Sequence, residues 1–216
     1  MHHQWDIETD VAVVGYGFAG GVAAISAHES GSSVLLMEKM PYPGGISIAS
    51  AGGVAITDNS EEAFAYLRQT CGGRTPDPIL KEFALGLLNL PAMISRLAKT
   101  VNMNINLKNP HKGGTYPLAG ADAIGSLKIA PMDGFQGFPW APQGLRGGAR
   151  LFKVLYENVK LRPNITVKYG MMGRKLIQHG NQEVIGLKAE YEGNPIHIRV
   201  KRGVVLTTGG FEFDPE

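Results

Sequence analysis

At 216 residues the chain is long enough to bury a sizeable core in one or two ordinary domains, and its 44% hydrophobic and 19% charged residues are those of a globular fold. The formal net charge of +2, with lysines and arginines scattered along the chain, gives no basis for nucleic acid or an anionic membrane as a partner. A single cysteine, Cys71, excludes an internal disulfide; it reads as a free buried thiol in a reducing, cytoplasmic compartment. The 29 glycines stand out, at about twice the ordinary share of ~7%.

Residues 9–14, nearly all apolar and β-branched, predict a short buried parallel strand. Gly15 to Gly20 predict a turn, Gly21 to Glu29 a helix, and Ser33 to Met37 a second apolar strand, together a right-handed β-α-β unit. The uncharged run from Val11 to Ala27 imitates a signal or membrane segment. It is preceded by acids without Lys or Arg, falls short of ~20 residues and is broken by glycines, so neither a targeting segment nor a membrane span is expected. Pro43 to Gly53 is a run of small residues. A helix is predicted from Ser60 to about Gln69, with Glu61 and Glu62 in its first turn. A second is predicted from Asp77-Pro78, broken or kinked at Pro91, with apolar positions resuming at Met93.

From Pro110 to Gly148 regular periodicity fails. The interleaved Tyr116, Phe135, Phe138 and Trp140 argue for an ordered loop that covers a site. Leu151, Leu155 and Val159 recur at helical spacing. Strands at Ile165–Tyr169, Glu183–Glu192 and Pro195–Val200 suggest an antiparallel meander, and a separate buried strand runs from Gly203 into Gly209-Gly210.

Gly15-x-Gly17-x-x-Gly20 matches the dinucleotide fingerprint, with a strand before it and a helix after. Its three glycines serve a tight turn, close approach of a pyrophosphate, and helix–strand packing, while the helix N-terminus offers unpaired N–H groups. Glu38 lies close to the ~20 positions beyond the last glycine where a ribose-binding carboxylate is expected, and its charge argues against a 2′-phosphate.

The next segment, Gly44-Gly45-Ile46-Ser47-Ile48-Ala49-Ser50-Ala51-Gly52-Gly53, resembles the Gly-Gly-x-Ser-x-x-Ser-x-Gly-Gly pattern of a flavoprotein family. That family contains fumarate reductases, succinate dehydrogenase flavoprotein subunits, urocanate reductases and 3-ketosteroid dehydrogenases. Arg146-Gly147-Gly148 and Val204 to Phe211 resemble two later motifs of the same family, in the same order. The resemblance implies an α/β, Rossmann-like FAD-binding domain of glutathione-reductase type with an antiparallel β-meander. Its parts are the β-α-β unit and glycine-rich segment (1–53), a helical and irregular insertion (60–148), and the helix, meander and late turn (149–216). On this reading FAD is held by Gly15, Gly17, Phe18, Ala19, Gly20, Glu38, Lys39, Gly44, Gly45, Ser47, Ser50, Ala51, Gly52, Gly53, Thr208, Gly209 and Gly210. Met172 lies near the adenine or serves as a core methionine.

Family members with covalent FAD carry a histidine after the Gly-Gly pair. Ile46 and Ser47 stand there, which implies non-covalent binding. No metal site is expected, and His2 and His3 read as solvated. The implied activity is oxidoreduction of a small molecule at a carbon–carbon bond activated by a carbonyl or carboxylate. Gly209-Gly210-Phe211-Glu212 and Tyr116-Pro117 lean toward a steroid, with Tyr116 either a catalytic tyrosine or a plain packing aromatic; an unsaturated acid is the alternative. The chain lacks the family's capping domain and C-terminal return segment, so a further stretch of chain or a partner chain is expected; a cofactor-binding module without turnover of its own is the other class.

Overall fold

The run of apolar, β-branched residues ending at Val14 forms β1 (Ile7–Val14), with Ala12 and Val13 wholly buried. The computed structural model describes residues 4–141, 146–180 and 183–210. It divides the chain into two units, Met1–Ala49 with Pro139–Pro142 and Leu155–Glu216, and Ser50–Phe138 with Gln143–Val154.

In the first unit, α1 (Phe18–Glu29) leads to β2 (Val34–Glu38), which is buried along its full length and lies parallel to β1, Val11 opposite Val34. Glu38 is therefore the last residue of a buried strand. The helix starts three residues before the predicted Gly21, so Gly20 belongs to its first turn. β6 (Ile165–Tyr169) pairs parallel with the far side of β2, and β9 (Asn194–Leu206) parallel with β1. β7 (Met171–His179) and β8 (Glu183–Tyr191) follow antiparallel, giving the order β6-β2-β1-β9-β8-β7. Ala12, Val14, Leu35, Met37, Met171, Leu187 and Ile198 form the core of this unit.

Three expectations are corrected here. Ile165–Tyr169 belongs to the parallel half of the sheet, because β2 leaves an open edge that a β-branched strand can extend. The meander consists of β7, β8 and the start of β9. The two late strands are one: β9 turns from antiparallel pairing with β8 at Asn194–Arg199 to parallel pairing with β1 up to Leu206, with a register shift opposite Thr9/Val11. Its end is less buried than expected, Val205 being 38% and Leu206 60% exposed.

The second unit contains α3 (Ser60–Thr70) and α4 (Asp77–Thr100) with a small antiparallel sheet of β3 (Val54–Thr57), β5 (Ile124–Ile129) and β4 (Leu107–Lys112), in the order β3-β5-β4. α3 is capped by Asn59, whose Oδ1 accepts the N–H groups of Glu61 and Glu62. α4 runs through Pro91 as one helix, so of the two outcomes expected there, a break or a kink, the break does not occur. A proline removes one backbone bond, while Leu87, Ile94 and Leu97 keep a continuous buried stripe across it. Cys71 is half-buried, not fully buried. The stretch 110–148 is not wholly irregular, since β5 alternates inward at Gly125, Leu127 and Ile129. No helix among the described residues is long and apolar enough to cross a membrane.

The end of α5 (Gly147–Lys160) is tied to α1 by Arg162. Its guanidinium donates to the Asn158 carbonyl at 2.7 Å and side-chain oxygen at 2.8 Å, and meets Glu29 at 2.6 Å, with Arg162 only 8% exposed. Arg162→Ala is expected to lower stability by about 2 kcal/mol, because two buried oxygens of Asn158 each lose a charged donor while Glu29 recovers water. Urea denaturation checks this; a loss below about 0.5 kcal/mol, the scale of an ordinary surface substitution, would show the clamp to be dispensable.

Candidate cofactor site

The turn between β1 and α1 is built from bare backbone. Gly15 has φ +104°, and a Cβ there would overlap the carbonyl oxygen of Thr207. A Cβ on Gly20 would overlap the carbonyl oxygen of Gly15. Gly17 is the N-cap of α1 and supplies no side-chain cap; a Cβ on it would stand 2.9 Å from Ser47 Oγ. In its place the hydroxyl of Ser47, from the short helix α2 (Gly45–Ala49), accepts the Phe18 N–H at 3.0 Å.

The turn is fastened from three sides. Glu38, 7% exposed, accepts the Tyr16 N–H at 3.0 Å through Oε2 and the Met40 N–H at 2.9 Å through Oε1. Gly44 donates its N–H to the Tyr16 carbonyl at 2.7 Å. Thr207 donates its hydroxyl to the carbonyls of Val14 and Gly15, each at 2.9 Å. The structure thus brings Gly15, Gly17, Phe18, Gly20, Glu38, Gly44 and Ser47 together around one turn. Thr207, one position before the predicted Thr208, joins them; a hydroxyl at a strand end carries too little sequence signal to separate from its neighbour.

The surroundings are electrically quiet. Tyr16 and Tyr169 stack at 6.5 Å between ring centroids. Burial first, then neighbouring Tyr156 and Glu38, pushes the Tyr169 hydroxyl up to about 12, and burial raises that of Tyr16 further, so both are neutral. Trp140 donates its indole N–H to the Pro43 carbonyl at 3.1 Å and stacks on Tyr42, an anchor for the segment before Gly44 that spacing alone did not reveal.

Other predicted residues are placed differently. Ala19, Lys39, Gly45, Thr208, Gly209 and Gly210 are exposed, and Met172 is half-buried in β7. Ser50, Ala51, Gly52 and Gly53 fall in the second unit. There the Gly148 N–H donates to the Ser50 carbonyl at 3.0 Å, and Cβ atoms on Gly52 or Gly147 would overlap the opposing backbone. These glycines let two chain segments cross at backbone distance. Tyr116 is 59% exposed, with its N–H donated to Tyr66 Oη at 3.1 Å. Phe211, Glu212, His2 and His3 lie outside the described residues.

The turn has the features an adenine dinucleotide needs. No side chain stands at three of its positions, a helix N-terminus without a side-chain cap of its own carries partial positive charge, and a carboxylate ends the adjacent strand. The comparisons point to the same class of cofactor. The chain belongs to the FAD binding domain family, whose match covers residues 10–215. It is 46% identical over 208 residues to a urocanate reductase of Eggerthella lenta, covering 94% of this chain and 32% of that protein. It is 30% identical over 210 residues to the cytochrome-type fumarate reductase of Shewanella frigidimarina, covering 94% and 33%. The structure of a 3-ketosteroid-Δ4-(5α)-dehydrogenase from Rhodococcus jostii superposes with a TM-score of 0.74 at 23% identity, over 96% of this chain and 47% of that one. The chain thus spans about a third of the length of the curated relatives it matches.

Gly17→Val places two methyl groups where Ser47 Oγ and an approaching pyrophosphate must lie. The purified variant is expected to be colourless where the parent is yellow. Retention of flavin absorbance by the variant would show that the turn does not hold the pyrophosphate.

Proposed function

We propose that the protein is a flavin-dependent oxidoreductase acting on a carbon–carbon bond conjugated to a carbonyl or carboxylate. The observation that carries it is the lacing of the fingerprint turn to Glu38, Ser47 and Thr207, which joins three separate motifs into one cradle for FAD. When bound, the flavin gives or takes a hydride at a ring nitrogen. The chain's own part is to hold it. First-turn N–H groups of α1 face the pyrophosphate, Glu38 accepts ribose hydroxyls, and the small residues from Gly44 onward admit a flat ring. With Ile46 and Ser47 after the glycine pair, FAD is bound without a covalent link.

For the substrate, 46% identity across almost the whole chain to a urocanate reductase supports an unsaturated acid. The steroid alternative rests on Tyr116, on Gly209-Gly210-Phe211-Glu212, on a likeness in fold and on 40% identity to a 3-oxosteroid 1-dehydrogenase over only 87 residues. Flavin-loaded full-length protein is expected to oxidise a reduced dye with urocanate or fumarate as acceptor, and to leave 3-ketosteroids unchanged in the presence of an artificial electron acceptor. Steroid turnover that falls by about 10²-fold or more in Tyr116→Phe would transfer the assignment to the steroid branch and make Tyr116 its acid–base group. Failure with every member of the panel would overturn the activity altogether.

Acid precipitation tests the mode of attachment independently. The flavin is expected in the supernatant, and yellow colour in the washed pellet would contradict it.

A further inference from the structure

Glu38 is already engaged by the chain itself, through both oxygens. We infer that Glu38 is a positioning residue for the phosphate-binding turn, in addition to its contact with ribose; the inference rests on the reading that Gly15 to Gly20 cradle FAD.

Tyr16 is the residue between the first two glycines of the fingerprint. Its peptide groups are held from opposite directions, the N–H by Glu38 Oε2 and the carbonyl by the Gly44 N–H. With both fixed, the chain direction into Gly17 is fixed, and so is the aim of the N–H groups that open α1. The other oxygen of Glu38 holds the Met40 N–H, and the Met40 carbonyl accepts the Gly170 N–H at 3.1 Å, so the turn is referred to the ends of β2 and β6 as well.

This arrangement requires a carboxylate. A carboxylate has acceptors at both oxygens and no donor, whereas an amide has one oxygen and one NH₂. In Glu38→Gln the NH₂ must face the N–H of either Tyr16 or Met40, so one of the two backbone donors loses its acceptor and meets another donor instead. Each carboxylate oxygen has about two lone-pair directions, so accepting one backbone N–H apiece leaves room for two ribose hydroxyls. Positioning and ribose binding therefore coexist on one side chain.

The two roles separate with a pair of competitors. Full-length apoprotein and its Glu38→Gln variant are titrated with FAD in the presence of ADP or 2′,3′-dideoxyadenosine diphosphate, well below the unfolding midpoint of each. The dideoxy compound has no hydroxyls for Glu38 to accept. The variant is expected to bind it roughly 5- to 10-fold more weakly, the effect of one lost hydrogen bond in a buried turn, and to lose more than that for ADP. A loss confined to ADP overturns the positioning role and leaves the ribose contact standing. Equal losses for both support positioning and remove the ribose contact; unchanged affinity for both removes each. Glu38→Asp, which keeps the charge but draws the carboxylate back by one methylene, supplies the same comparison should the amide variant not fold.

Discussion

Three backbones meet at the start of α1 with no side chain between them. The carbonyl of Thr207 lies where a Gly15 Cβ would stand, and the carbonyl of Gly15 where a Gly20 Cβ would stand. Protein interiors transmit position through such hard contacts more faithfully than through rotatable side chains. The end of β9, the end of β1 and the first turn of α1 are consequently registered against one another by carbonyl groups. The Thr207 hydroxyl completes the contact by bonding the crowded Gly15 carbonyl and the Val14 carbonyl before it. The direction of the α1 dipole, and with it the field offered to a phosphate, follows from this packing.

A buried carboxylate beside such a turn needs compensation, since isolated charge is costly to remove from water. Glu38 obtains it from two backbone N–H groups. Those bonds also fix the peptide that leads into Gly17, so the solvation of the charge and the geometry of the turn are one arrangement. Tyr16 and Tyr169, neutral phenols that burial makes harder still to ionise, add bulk beside the turn without negative charge.

How much of this was legible in the sequence depends on how local the determining interactions are. β1, β2 and α3 were legible because continuous burial, helical spacing and first-turn acids are properties of short windows. β5 was not, since its inward positions include Gly125, which carries no hydrophobic signal. β7 escaped because its Met171 and Leu176 are separated by Gly173, Arg174 and Lys175, and only pairing with β8 organises them. The choice between a break and a kink at Pro91 could not be made locally, and the break is avoided because the buried stripe on either side outweighs one missing hydrogen bond. The division of β9 into two strands followed from the register shift in its pairing with β1, where polar Lys201 and Arg202 leave a gap in a one-dimensional pattern. Around the fingerprint turn, motif spacing singled out the glycines and Glu38, while Thr207, Tyr169 and Trp140 gained their places through contacts far along the chain.

The glycine motifs themselves divide once their neighbours are known. Gly15, Gly20, Gly52 and Gly147 are used by the protein against its own backbone, where a single methyl group would overlap a peptide unit. Their requirement for glycine holds with or without a cofactor. Gly45 and Gly209 have positive φ and nothing within 4 Å of where a Cβ would stand. Gly17 lies between these classes, open enough to be approached yet within 2.9 Å of the hydroxyl that covers the first donor of α1. A matched fingerprint therefore reports two constraints at once, one on how strand, helix and late turn close upon each other and one on what comes near them. The first is met inside the chain at Gly15 and Gly20. At Gly17 the two constraints meet, because a side chain there would crowd the Ser47 hydroxyl as well as anything approaching the start of α1.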